Sequence, residues 1–213
     1  PIKTRDPAGR ELRSLRDALA ANPRDAAAAE RLARRYFELA SAEGDPRYIG
    51  YAEAALRPWA GAPDAPVEVV LTGALLKQYR HEFAPAMNDL DRVLQREPGN
   101  TEAISWQFAL HLVQAQYDEA RKDCERLAPS GTALEAAACH AVIDSLTGKS
   151  RAAYASLSAA LARHPAQSEA YRRWVLTRLG EMALRSGDKA RAEMHFKQAL
   201  ATMAIGLTDG FVL

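Results

Sequence analysis

Small and apolar residues recur along this chain at the spacing of one helix face, and the pattern returns after a fixed interval. Ala52, Ala86 and Ala120 lie 34 residues apart. Residues suited to a core follow each alanine at four and then at seven positions: Leu56, Leu90 and Cys124, then Trp59, Val93 and Leu127. Looser copies begin at Ala153 and Ala192. Because positions four and seven apart share one face of an α-helix, the pattern predicts amphipathic helices in an internal repeat.

Proline and glycine clusters divide this pattern into segments, and no useful length alternates as a strand does. The segments predict an all-α chain, with one half repeat and five helix–turn–helix repeats: 10–23, then about 24–60, 66–98, 101–130, 132–166 and 168–203. We interpret 1–213 as a single array. The last residues, 204–213, end on Phe211, Val212 and Leu213 and predict the start of a further helix that is cut short.

The fifth repeat carries the most specific set of residues, with small ones where helices would cross and large ones between: Leu179, Gly180, Ala183, Gly187, Asp188, Ala192, Phe196 and Ala199. With the 34-residue period, these positions resemble the tetratricopeptide repeat (TPR) family over residues 10–203. The resemblance implies a right-handed superhelix of helix pairs, with a concave groove lined by the first helix of each repeat. It also implies a peptide or a partner's helix in that groove.

The first repeat departs from the others through a long turn, Gly44-Asp45-Pro46. With the residues that follow it, this turn resembles a group of uncharacterised bacterial TPR proteins that are often exported. The chain also begins at Pro1 rather than Met, which favours a fragment or a processed product. Together these features favour a periplasmic or otherwise exported location slightly over the cytoplasm.

Composition excludes several classes of partner. The formal net charge is +1, from 28 basic and 27 acidic residues, so no global field would gather nucleic acid. No apolar run approaches the roughly 18 residues of a membrane span. Hydrophobic residues make up 48% of the chain but aromatic ones only 7%, which suits closely packed, alanine-rich helices.

Two cysteines lie at equal distances from a predicted turn. Cys124 falls on the second helix of repeat three and Cys139 on the first helix of repeat four, and the turn between them is centred near Gly131. Residues equidistant from such a turn lie side by side in an antiparallel helix pair. A disulfide then needs Cα atoms within about 7 Å, and it would indicate an oxidising compartment. The alternative is two small core residues, a common use of cysteine.

A stripe on the first helix of the last repeat is the main candidate for binding, because its members are three or four positions apart: Trp174, Arg178, Glu181 and Arg185. An aromatic ring flanked by arginines would suit an acidic or C-terminal peptide. The alternative is an ordinary solvated helix face. Gln78 and Tyr79, on the first helix of repeat two, are weaker candidates for the same groove.

Catalytic patterns are missing from the sequence. It has no nucleophile elbow, no phosphate-binding loop and no His-Glu-x-x-His metal motif. His140 and Asp144 share a helix face, but a zinc site needs further ligands. We therefore predict a non-catalytic adaptor without a metal or cofactor. Two alternatives stay open: a homo-oligomeric subunit, with a homodimer through the C-terminal end, and the non-catalytic part of a larger protein.

Overall fold

The computed structural model describes residues 7–164, 166 and 168–203. The described residues form α-helices and one short 3-10 helix at Arg57–Trp59, without a strand, which confirms the all-α fold class. The helices are α1 Pro7–Ala21, α2 Ala26–Glu43, α3 Arg47–Leu56, α4 Val67–Tyr79, α5 Phe83–Arg96, α6 Thr101–Val113, α7 Tyr117–Leu127, α8 Ala133–Leu146, α9 Ser150–Arg163, α10 Glu169–Arg185 and α11 Lys189–Met203. The described residues divide into two compact units, the first ending at Ala103 and the second beginning at Ile104.

The helices follow the predicted repeats. The helix α1 covers most of the half repeat, and the five pairs from α2–α3 to α10–α11 occupy the five repeats. Residues of the 34-residue pattern lie in the core, with exposures of 1% or less at Ala52, Ala86, Leu90, Val93, Ala120 and Cys124. The single array remains a prediction, and the segment 204–213 with Phe211, Val212 and Leu213 lies outside the described residues.

The first unit is built on contacts between α2 and its neighbours. Ala29, Ala33 and Ala40 are fully buried on one face of α2, and small side chains there let the helices approach closely. Tyr36 adds bulk between them, and its hydroxyl accepts a hydrogen bond of 2.6 Å from Nε of Arg16. Local signals set the ends of α2: Asp25 accepts from the Ala28 amide, and Gly44 adopts φ +66° at the C-terminus.

The second unit packs α8, α9 and α10 around one apolar cluster. Leu157 from α9 and Val175 from α10 are fully buried there, with Leu134 from α8 at 1% exposure. Side-chain caps begin two of these helices: Thr132 and Glu135 form a reciprocal capping box at α8, and the Ser168 hydroxyl accepts from the Tyr171 amide at α10. The caps fix where α8 and α10 begin.

Gly180 lies where α10 meets α11. A Cβ at this position would be 2.6 Å from a ring carbon of Phe196, closer than real Cβ contacts allow. We expect Gly180→Ala to lower the free energy of unfolding by about 1–2 kcal/mol, because overpacking outweighs the better helix propensity of alanine. Urea unfolding followed by circular dichroism measures the change.

Gly50 provides the matched control, because it also lies inside a helix but a Cβ there would meet nothing within 4 Å. Gly50→Ala should raise the free energy of unfolding by about 0.5–1 kcal/mol. A Gly180→Ala protein as stable as the Gly50→Ala protein would contradict the close packing of α10 on Phe196.

His195 is buried on α11, with Nε2 2.9 Å from the Tyr154 hydroxyl of α9. Burial lowers the pKa of His195 below its ordinary value of about 6.5. The unfolded chain therefore takes up a proton near that pH while the folded chain does not, so stability falls as pH drops below about 6.5. We expect His195→Gln to flatten the loss of stability between pH 7.5 and pH 5.

Urea midpoints across that pH range test the prediction. His164→Gln is the control, because His164 is exposed at the end of α9 and should keep the wild-type slope. If the urea midpoint falls with pH equally steeply in the wild type and in His195→Gln, this histidine does not govern the acid sensitivity of folding.

Candidate peptide-binding surface

The structure brings the four predicted stripe residues of α10 into one connected row. The guanidinium of Arg178 lies over the Trp174 ring at 5.7 Å from its centroid, in cation–π contact. Glu181 forms ion pairs with two arginines, Arg178 at 2.9 Å and Arg185 at 3.6 Å. The row therefore runs from an aromatic platform to a pair of arginines that share one carboxylate.

Tyr171 extends the row toward the start of α10, a member that the sequence analysis missed. Its ring stacks on Trp174 with centroids 5.6 Å apart and planes inclined by 15°. Burial raises the pKa of the Tyr171 hydroxyl, and the Glu135 carboxylate raises it further, so the hydroxyl stays neutral. The signal was present in the sequence, since Tyr171 precedes Trp174 by three residues on the same helix.

Partial exposure is what makes this row a candidate surface. Trp174 is half-buried against the α8–α9–α10 cluster. The side chains of Arg178 and Glu181 keep 31% and 29% of their accessible area, and that of Arg185 keeps 40%. The Nε of Arg178 has no hydrogen-bond partner among the described residues. A pre-positioned aromatic ring with arginines is the composition typical of binding hot spots.

Neighbouring α8 fixes the far end of the row. Nη1 of Arg185 donates to the hydroxyl of Ser145, which is buried at 3% exposure, over 2.9 Å. The Ser150 hydroxyl in turn donates to the backbone carbonyl of Ser145. The helices α8 and α10, first helices of successive pairs, are in contact, so they form one surface.

Gln78 and Tyr79 lie in the first unit, at the end of α4. The Tyr79 ring meets Phe37 of α2 edge-on with centroids 6.1 Å apart, and it packs against the core of that unit. Gln78 is half-buried beside it. Tyr79 therefore has a packing role, and a role for either residue in binding stays a prediction.

An ion network occupies the first-helix side of the first unit. Arg34 of α2 forms a two-pronged pair with Glu102 of α6, at 2.6 and 3.0 Å, and its Nε is 2.5 Å from Glu30. The Thr72 hydroxyl of α4 donates to Glu30. Arg34 has two carboxylate partners here, whereas two arginines share one carboxylate on α10, so the α10 row is the better candidate for an acidic ligand.

A second repeated set of residues, which the sequence analysis missed, holds helix pairs together. Asp89 and Asp123 are both buried and lie 34 residues apart, and each pairs with an arginine three residues later, Arg92 and Arg126. Asp89 also pairs with Lys77, and Asp123 with His111 at 2.7 Å, again 34 residues apart. Burial raises the pKa of Asp123, while His111 and Arg126 act against that rise. Extending the repeat comparison to polar positions would have found these residues.

The cysteines Cys124 on α7 and Cys139 on α8 form a disulfide, with Cα atoms 5.8 Å apart. Cys124 is 1% exposed and Cys139 8%, and both belong to a small apolar cluster with Ile143 and Ala120. The bond links the second helix of one pair to the first helix of the next. It therefore ties together successive repeats within the second unit.

Among the described residues, no three side chains of His, Cys, Asp or Glu gather as a metal would need. His140 is exposed, and the Asp144 carboxylate beside it is engaged by Arg121 at 2.7 Å. None of the described helices has the length and apolar character to cross a membrane.

Several solved structures, a TPR protein among them, have folds similar to that of this chain. A tetratricopeptide repeat protein from Parabacteroides merdae ATCC 43184 superposes with a TM-score of 0.67 at 17% identity, over 90% of this chain and 72% of its own. MamA from Desulfovibrio magneticus RS-1, from residue 41 to its end, gives a TM-score of 0.54 at 19% identity, over 84% of this chain and 98% of its own.

BtubC (BKLC) from P. vanneervenii gives a TM-score of 0.55 at 15% identity, over 97% of this chain and 92% of its own. Neither a protein-family model nor a curated protein matches the chain. The structural likenesses confirm a TPR-like fold, as the 34-residue period predicts.

Proposed function

We propose that this chain is a non-catalytic protein-interaction module that holds a peptide, or a helix of a partner protein, against α8 and α10. A TPR-like fold supports the class, because stacked helix pairs offer a rigid, preformed surface to a partner. A rigid surface loses little entropy on binding, so a few anchors suffice for affinity. The same fold serves many partners, so the choice of surface rests on the side chains.

The connected row on α10 is the observation that carries the proposal. Trp174 offers a flat apolar face, and Arg178 and Arg185 can donate hydrogen bonds to backbone carbonyls or carboxylates of a partner. Glu181 balances only one of the two arginine charges. A ligand with an apolar side chain for Trp174 and acidic groups beyond it would complement this order.

A displayed library of random peptides tests the proposal directly. Peptides selected on the wild-type protein should bind the Trp174→Ala/Arg178→Glu double variant about thirtyfold less tightly or worse, the loss expected for a hot spot. Arg178→Gln is a second, milder variant in case the double variant misfolds, because it removes the charge without placing a second carboxylate beside Glu181. Circular dichroism and urea midpoints verify that each variant is folded.

Lys122→Glu is the matched control, because Lys122 is an exposed cation on α7, the second helix of its pair. It changes the charge by the same amount as Arg178→Glu and should leave peptide affinity unchanged. Peptides that bind all variants equally would exclude the α10 row as the site. A library that yields no binder would count against the peptide-holding function itself.

We also propose that the protein works in an oxidising, exported compartment. The buried Cys124–Cys139 disulfide supports this location, since such bonds are rare in the reducing cytosol. Alkylation of thiols before lysis of the source cells, followed by intact mass, tests it. Two alkylated cysteines in the native protein would contradict the exported location.

Self-association is a second candidate function. Three large apolar side chains are exposed on the last described pair, at 53% for Leu184, 44% for Met194 and 63% for Leu200. Light scattering over a concentration series should then show a dimer that Leu200→Glu dissociates. A wild-type monomer at every concentration would exclude this function and leave the peptide-binding proposal untouched.

A further inference from the structure

Positive charge gathers where the turn between α8 and α9 meets the end of α10. A solvent-open cavity of about 690 Å³ lies there, lined by Ser145, Leu146, Gly148, Lys149, Ser150, Arg151, Ala152, Arg185 and Ser186. We name it the α8–α9 corner. Three of its lining residues are cations and three carry hydroxyl groups, and none is a carboxylate.

The carboxylates beside the corner do not neutralise it. Asp144 is 3.9 Å from Lys149 but also pairs with Arg121 at 2.7 Å. Glu181 is 3.6 Å from Arg185 but lies nearer to Arg178, at 2.9 Å. Five cations, these four and Arg151, therefore share two carboxylates. An exposed excess of this kind attracts an anion.

Hydrogen bonds hold one cation of the corner in place. Nη1 of Arg185 donates to the buried Ser145 hydroxyl, which lies 3.3 Å from the Ser150 hydroxyl. Nη2 of Arg185 lies 3.6 Å from the Glu181 carboxylate, beyond hydrogen-bond distance, and Arg185 lines the cavity. Lys149 flanks it from the α8–α9 turn and Arg151 from the first turn of α9, and the Lys149 side chain is 65% exposed.

We propose that the α8–α9 corner binds an oxyanion of the bound peptide, either a phosphoryl group or a carboxylate. Arginine and lysine N–H donors match the oxygen acceptors of both groups. The cavity is open to solvent, so an acidic side chain of a ligand can reach it. The inference rests on the proposed function for the peptide, but the affinity of the corner for an oxyanion can be measured without one.

Titration with inorganic phosphate, sodium acetate and sodium chloride at equal ionic strength tests the corner in the whole chain. We expect saturable shifts of the amide signals of 149–152 and of the Arg151 and Arg185 side-chain signals in ¹H–¹⁵N spectra. Saturation by phosphate alone assigns a phosphoryl group, saturation by acetate alone a carboxylate, and saturation by both a general oxyanion site. Shifts no larger than those with chloride would overturn the proposal.

Variants separate the corner from the α10 row. Lys149→Gln/Arg151→Gln should weaken anion binding by about tenfold or more, whereas Lys122→Gln should not. Anion binding that the double variant leaves unchanged would overturn the assignment. If anions bind here but no peptide depends on Trp174, the corner stands and the proposed function fails. If peptides depend on Trp174 but neither oxyanion saturates the corner, the proposed function stands and this inference fails.

Discussion

Replacing Cys124 and Cys139 together by alanine is expected to lower the free energy of unfolding by about 3 kcal/mol. The disulfide closes a loop with a sequence separation of 15, and the loss of loop-closure entropy in the unfolded chain gives this magnitude. Both side chains are buried between α7 and α8, so truncation also removes contacts with Ile143. The bond holds α8, which carries one side of the candidate surface.

Urea unfolding of the oxidised wild type, the reduced wild type and the double variant measures this effect. The reduced wild type should resemble the double variant, and reductant should not change the double variant further. Intact mass verifies the bond in the oxidised sample. Equal midpoints for the oxidised and reduced wild type would mean that the bond contributes no stability.

Leu157→Ala should lower the free energy of unfolding by about 3–4 kcal/mol, which is the second large expected effect. Leu157 is fully buried on α9, in the cluster that joins α8 to α10, and truncation of a buried leucine removes its transfer free energy and leaves a cavity. Since Val175 and Leu179 of α10 pack in the same cluster, the variant should also loosen the α10 row. Peptides whose binding depends on Trp174 should bind the Leu157→Ala protein less tightly than the wild type.

Val113→Ala is the control, because Val113 is 67% exposed on α6 and its truncation should change stability by no more than about 0.5 kcal/mol. Chemical unfolding measures both variants under one condition. A Leu157→Ala protein with the stability of the Val113→Ala protein would contradict the core assignment for α9.

The repeat spacing was sufficient to predict the helix pairs, because it depends only on local rules. Alanine and leucine at positions such as Ala86 and Leu90 select a helix face. Glycine or proline follows many of the helices, whereas the turns after α4 and α6 contain neither and place His81 and Ala115 at positive φ. The candidate row on α10 was predictable for the same reason, since residues three and four apart meet on any helix. The partnership of Trp174 with Arg178 needs no knowledge of the other helices.

Contacts between helices could not be predicted in this way. The bond from Arg185 to Ser145 joins residues 40 apart, and it depends on the packing of α10 against α8. The α8–α9 corner depends on the same packing, so no spacing rule reveals it. The buried Asp89 and Asp123 were missed for another reason: apolar positions were compared between repeats, and polar ones were not.

Helices in the described part of the chain make their main contacts with neighbours one or two positions along, such as α8 with α9 and α10. Contacts so close in sequence give a low contact order, which favours fast folding. Neighbour-only packing also lets one helix pair open while the others stay folded. In native-state hydrogen exchange, we therefore expect the amides of one helix pair to exchange together as a block. The disulfide joins α7 of one pair to α8 of the next, so these two helices should exchange as a single block until the disulfide is reduced.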